Sequence, residues 1–242
     1  MPLQEVLVLA MTKMRAGICT AGVVSDHEGT HGVRWVRPVR DFGSVRLGDM
    51  TCAGGRLACC SDVVELNLLR PRSERPHVED WVTDFVYDRP RIVLRLEGEK
   101  RARFFAKYTD EAPEDVLVKH TRSLCLLRPE RVWVHFSLDP HSGKYEARMG
   151  FLIGNGLDHP RASSPRGVTA TDLKWRALGR SWLGPAAGTL NLDHDEVCSR
   201  LSTADIYLAI GLSRAWRGEF WPLVVGVHVV PDYEANVDCN CL

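Results

Sequence analysis

The chain has 242 residues, 45% hydrophobic and 26% charged, with 20 Gly and 13 Pro, a composition that excludes collagen, coiled coil and disordered polyelectrolyte. Its 31 basic residues balance its 31 acidic ones and each half is near neutral, so a polyanionic partner must be met by local patches rather than an overall field. No apolar run approaches the roughly 20 residues that span a bilayer. Met1-Pro2-Leu3-Gln4-Glu5 places no basic stretch ahead of an apolar one, so a cytoplasmic protein without a membrane partner is expected.

Short apolar runs bounded by Gly, Pro and Asp recur along the chain and long helical periodicities are scarce, the pattern of a mainly β fold. In the first half, Glu5 to Met11, Gly17 to Ser25, Val33 to Val39 and Asp62 to Leu69 read as strands, with Arg91 to Leu96 and Ala102 to Phe105 as weaker ones. Ala112-Pro113-Glu114-Asp115 is a helix start, opening a short linking helix to about His120. Strands resume at Leu124 to Leu127, Arg131 to Leu138 and Lys144 to Ile153, the last two joined by the turn Asp139-Pro140-His141-Ser142-Gly143. Asn155 to Gly167 lacks periodicity and reads as a surface loop. Val168 to Leu183 fits either a helix capped by Thr171 and Asp172 or a strand and bend; Asp193 to Leu201 reads as helix. Ala204 to Leu212 and Glu219 to Val230 form a final strand pair.

Two places interleave basic and aromatic side chains, the mixture that stacks on bases and tracks phosphates. In Arg34-Trp35-Val36-Arg37-Pro38-Val39, strand alternation puts Trp35 and Arg37 on one face, with Lys13 and Arg15 upstream. The second place holds Lys174, Trp175, Arg176, Arg180 and Trp182. Each also has a bland reading: an Arg over a core-edge Trp in the first, a buried amphipathic stripe in the second.

Asp193-His194-Asp195-Glu196 gathers the side chains of a divalent-metal or acid/base site. Acids at a helix start also simply favour its dipole, and side chains so close in sequence diverge. His77 with Glu79 and Asp80 is a comparable group, and Cys19 is a lone nucleophile without a sign of activation. Eight cysteines in a chain without an export signal point to thiols or a metal rather than disulfides. If folding brought Cys52, Cys59 and Cys60 to Cys239 and Cys241, thiolates for zinc or an iron–sulfur cluster would result. The tight Cys or His pairs of a zinc site are absent, so no cofactor is expected. P-loop, dinucleotide and H-E-x-x-H motifs are absent too.

Several short motifs resemble, in their order, those of the dual OB-containing domain family. They are Val6-Leu7-Val8-Leu9-Ala10-Met11-Thr12-Lys13, Gly17-Ile18-Cys19-Thr20-Ala21-Gly22 and Arg34-Trp35-Val36-Arg37-Pro38-Val39 at the start, then Arg75-Pro76-His77-Val78-Glu79-Asp80-Trp81 and Ser123-Leu124-Cys125-Leu126-Leu127-Arg128-Pro129. Val168 to Arg176 and Tyr207 to Val230 continue the resemblance toward the C-terminus. Met11-Thr12 departs from the family's Asn-Ser, Ile18 from its frequent Arg, and Arg214-Ala215-Trp216 from its Glu-Pro-Phe turn. The resemblance implies two OB-type barrels packed as one unit, and nucleic-acid or nucleotide binding, often in bacterial defence.

The expectation is therefore a mainly β protein of two OB-like barrels with a few short helices, residues 1–121 forming the first barrel with its linking helix and 122–242 the second. Its expected role is a non-catalytic recognition module for single-stranded nucleic acid or a nucleotide, serving a partner enzyme. The alternatives are a metal-dependent hydrolase or nuclease acting through Asp193, His194, Asp195 and Glu196, and a protein-interaction scaffold using the Ala204 to Val230 hairpin.

Overall fold

The computed structural model describes residues 3–237 other than 15, 155 and 187. The chain opens with β1 (Gln4–Met14) and β2 (Gly17–Ser25), an antiparallel hairpin. Gly17 is needed at its turn, because φ is 142° and a Cβ there would lie 2.3 Å from the Val45 carbonyl oxygen. β3 (Val33–Val39) pairs with β2. A long loop with one 3-10 turn at Leu47–Met50 then leads to β4 (Asp62–Pro71), β5 (Asp80–Asp84) and β6 (Arg91–Arg95). β5 runs parallel to β3 and antiparallel to β4, and β4 pairs with β1, so the ladder passes β1–β2–β3–β5–β4 and returns to β1. β6 adds to β4.

Period-two alternation orients these strands. On β4, Val64, Leu66 and Leu68 are buried while Val63, Glu65 and Asn67 between them are not. Together with Val6, Val8, Val36 and Met50 they form the first core. β5 is a strand that the sequence reading did not anticipate, for its residues Asp80-Trp81-Val82-Thr83-Asp84 are rich in acids that strands disfavour. The weak strand expected at Ala102 to Phe105 is instead part of α1 (Gly98–Lys107), whose buried Arg101 and Phe105 lie one helical turn apart. The linking helix shortens to α2 (Glu114–Leu117).

The second strand set comprises β7 (Leu124–Leu127), β8 (Arg131–Leu138), β9 (Tyr145–Leu152), β10 (Val168–Thr169), β11 (Gly188–Leu192), β12 (Ile206–Leu212) and β13 (Pro222–Val229). α3 (Leu173–Leu183) resolves the ambiguous stretch as a helix, and α4 (His194–Leu201) follows β11. The strands pair as β10–β9–β8–β11 and β13–β12–β7, and a single parallel bridge joins Ala170 to Val224. β7 and β8 act as one strand interrupted at Arg128-Pro129-Glu130, where Pro129 has no N–H to give a ladder. With that joint, the connectivity of the first set recurs. β7/β8 lies between β9 and β12 as β1 lies between β2 and β4, and the segment after β10 meets β13 in parallel as β3 meets β5. The expected pair of barrels is met in part: a one-residue bridge stands in the second set where the first has a β3–β5 ladder.

A second core fills the later set around Phe136, Met149, Phe151, Trp175 and Leu208. A third lies between the two sets, where Leu7, Leu9, Ala21 and Val23 meet Leu126, Tyr207, Ala209 and Phe105. Gly226 permits the close approach of β13 to β1, since a Cβ there would sit 2.1 Å from the Leu9 oxygen. Beside it the His228 ring lies 2.8 Å from that same oxygen through Nε2. Burial pushes the His228 pKa down to about 3, so the neutral ring donates from Nε2. Asp172 ties α3 to this seam, accepting from the N–H groups of Lys174 at 2.8 Å, Trp175 at 3.3 Å and Val227 at 2.7 Å.

Candidate functional site

A cleft of about 680 Å³ opens where the two strand sets meet, a volume typical of small-molecule sites. Its apolar walls come from β1 and β2 (Ala10, Ile18, Ala21) and from β7, β12 and β13 (Leu124, Leu212, Val225). Five basic side chains line it, Lys13, Arg37, Arg40, Arg72 and Arg214, with no carboxylate among its described lining residues. The β3–β5 register sets this charge in place: Val36 points into the first core, which turns its neighbour Arg37 outward toward the second set.

Arg37 is the best-buried of these, 6% exposed. Its Nε donates to Asp80 at 2.5 Å and its Nη1 to the Ser123 hydroxyl at 3.4 Å, while Nη2 is buried without a hydrogen bond. Arg214 donates to the other Asp80 oxygen at 3.1 Å. Glu79, next in the chain, accepts from Ser123 N–H at 2.8 Å, its hydroxyl at 2.7 Å and Leu124 N–H at 3.0 Å, pinning the start of β7 to the first set. Arg40 is held bidentately by Asp49 at 2.8 and 2.5 Å, and Arg72 donates to the Arg40 carbonyl at 3.0 Å. The fork of Arg40 on Asp49 fixes that guanidinium plane in advance of any ligand.

His77 also lines the cleft, 3% exposed, with the Ser213 backbone beside its ring. Burial first, then the nearby Arg37 and Arg214, lower its pKa to about 4, against the opposing pull of Asp80 and the Ser213 backbone close by. The ring is thus neutral at pH 7 and offers one donor and one acceptor. Phe220 meets it edge-on at 6.0 Å. Cys19 lines the cleft as well, but burial raises its thiol pKa in spite of Arg37, so it is a thiol and not an activated thiolate.

The structure scatters several residues that the sequence grouped. Lys13 and Arg37 line the cleft. Arg34 instead pairs with Asp26 at 2.9 Å and lies 4.6 Å over Trp81, and Trp35 packs half-buried against the third core. Arg15 falls outside the described residues. The second interleaved patch is largely engaged within the protein. Trp175 is 0% exposed in the second core, a correction to the expected stacking platform. Lys174 pairs with Asp232 at 2.9 Å, Arg176 donates to the carbonyls of Ala170 and Tyr145, and Arg180 donates to Gly184 O at 2.6 Å. The buried stripe of an amphipathic helix won over the open patch.

Asp193, His194, Asp195 and Glu196 do not converge either. Asp193 and Glu196 form a reciprocal capping box on α4, at 3.0 and 2.9 Å, and His194 Nδ1 accepts from Val132 N–H at 3.3 Å. Asp193 and Glu196 are spent on starting the helix and His194 on fixing it to β8. Cys60 is buried in the first core and burial raises the thiols of Cys59 and Cys60. Cys239 and Cys241 lie outside the described residues, and Cys52 joins no cluster: among the described residues no group of three or more His, Cys, Asp and Glu side chains converges as metal ligands do. No described helix is long and apolar enough to cross a membrane.

His77, Arg72 and Arg214 were missed as a group. His77 and its acidic neighbours were legible only as a short motif. Arg72 and Arg214 carried no signal, since the fold alone brings them together from 142 positions apart.

A mainly β molecule whose two strand sets repeat the Greek-key order, with a basic cleft at their junction, is a paired OB-type module. The family model of the dual OB-containing domain matches residues 4–163, and the chain belongs to that family. The match takes in the first strand set and the start of the second, leaving β10 to β13, α3 and α4 beyond it. Comparison with curated proteins and with solved structures found no match.

Proposed function

We propose that this protein is a recognition module that binds a nucleotide, free or as part of single-stranded nucleic acid, in the cleft between its two OB-type units. One observation carries this reading: Arg37 lines an apolar-walled cleft with a buried guanidinium nitrogen, Nη2, that has no hydrogen-bond partner among the described residues. An unpaired buried donor costs about 1–3 kcal/mol, and a ligand acceptor relieves that cost. The surrounding Arg40, Arg72 and Arg214 suit a phosphate, and the Ile18, Leu124 and Val225 walls suit a base.

Recognition without turnover is the form of the proposal. Cys19 is held as a thiol, and the acid-rich segment that suggested hydrolysis caps a helix. A partner enzyme would then act on what this module holds. Binding is tested by titrating the full chain with nucleoside monophosphates and with labelled single-stranded DNA and RNA at two salt concentrations. Affinity should fall as salt rises, because phosphate contacts release counterions, and Arg37→Lys should weaken it about tenfold by removing the planar fork. Equal binding by Arg37→Lys and wild type, or no binding of any of these ligands at low salt, refutes the proposal.

A further inference from the structure

From the hairpin tip that borders the cleft through Ser213 and Arg214 we infer that the ligand is a single strand longer than one nucleotide, whose next bases stack on Trp216 and Trp221. This rests on the cleft reading and deepens it. The tip joins β12 to β13 and is tied to the cleft at three points. Arg214 pairs with Asp80 at 3.1 Å. Phe220 packs against His77, with ring centroids 6.0 Å apart. Ser213, itself a cleft residue, donates its N–H to Trp221 O at 2.9 Å and accepts from Trp221 N–H through its hydroxyl at 3.0 Å.

Beyond those anchors the tip presents what buried cores do not waste on water. Trp216 is 64% exposed and Trp221 is 41% exposed. Arg161, from the loop after β9, lies 4.0 Å over the Trp221 ring, and Arg217 lies 5.9 Å from that of Trp216. Glu219 is the one acid of the tip and is paired with Arg161 at 3.2 Å. Hydrogen bonds in both directions between Trp216 and Glu219 hold the turn at 2.9 and 3.1 Å. Aromatic rings beside guanidinium groups, continuous with a cationic cleft, match a chain of alternating bases and phosphates. Arg161 and Arg214 already have carboxylate partners in Glu219 and Asp80; it is the run of exposed rings leading from a cleft lined by basic side chains and no carboxylate that favours a phosphate-bearing strand over a protein partner.

The test uses the full chain with labelled oligo(dT) and oligo(rU) of about ten nucleotides, within the span of one OB unit, and thymidine and uridine monophosphates in parallel. Both tryptophans are changed together, Trp216→Ala with Trp221→Ala, and separately to Phe, with melting temperature recorded for each variant. The Ala pair should weaken oligonucleotide binding about tenfold or more, leave monophosphate binding and melting unchanged, and be largely rescued by the Phe pair. Undiminished oligonucleotide binding by the Ala pair overturns the inference and turns the rings toward a protein partner. An equal loss for oligonucleotide and monophosphate also overturns it, making the tip a mere buttress of the cleft. Wild-type protein that binds oligonucleotides no tighter than monophosphates defeats the stacking path while leaving the cleft reading intact. If it binds neither, both fail.

Discussion

Two segments of this chain carry nearly the same side chains and end in opposite environments. Arg34 to Arg37 lies on β3 and Lys174 to Arg180 on α3. On the strand, alternation sends Val36 to the first core and frees Arg37 for a cleft shared with the second strand set. On the helix, a stripe recurring every three to four residues carries Trp175 and Leu178 inward, and the basic residues spend their donors on nearby carbonyls and Asp232. The same side-chain types therefore reach a cleft or a core according to the element that carries them.

The comparison is broken most severely by deleting the two tryptophans in turn. Trp175→Ala should cost about 3–5 kcal/mol of stability, as for other large buried aromatics, measured by chemical denaturation, whereas Trp35→Ala, at a half-buried edge, should cost markedly less. Next in size is the contrast between guanidinium groups. Arg37→Lys should weaken nucleotide binding about tenfold, while Arg176→Lys, whose donors are satisfied by Ala170 and Tyr145, should leave it unchanged in the same titration.

His77 gives a prediction in pH. Its pKa of about 4 lies below the ordinary 6.5, so the unfolded chain binds a proton that the folded chain refuses. His77 therefore costs stability as pH falls from 6.5 toward 4, at up to about 1.4 kcal/mol per pH unit, and His77→Gln should remove its share of that loss. A bound phosphate favours the imidazolium and should raise the His77 pKa, so affinity should increase as pH drops through the new value. Proton NMR of the His77 ring with and without nucleotide measures both; an unmoved titration in saturated protein counts against the ligand touching this ring. The smallest effect belongs to Arg180→Ala, which loses one bond to Gly184 O at the end of α3 and should cost only about 0.3–1 kcal/mol.

Much of the architecture follows from local rules. Alternating apolar residues and Gly- or Pro-bounded turns were enough to place β1 to β4, β7 to β9, β12 and β13, because burial on one face leaves a period-two imprint. The capping of α4 by Asp193 and Glu196 was likewise written locally. β5 escaped, since its acids answer to partners far away in sequence: Asp80 to Arg37 and Arg214, and beside the strand Glu79 to Ser123. α1 escaped because only two of its residues are buried, too few to impose a visible stripe.

The sequence by itself determined the β class and, through motifs whose order counts more than any one of them, the family. Only the tertiary structure decided which charges matter. Arg37, Arg72, His77 and Arg214 become one site when the third core packs β1 and β2 against β7, β12 and β13. Charge carries no periodicity of its own, so a site built from side chains at a seam between two units leaves its mark in space and not along the chain.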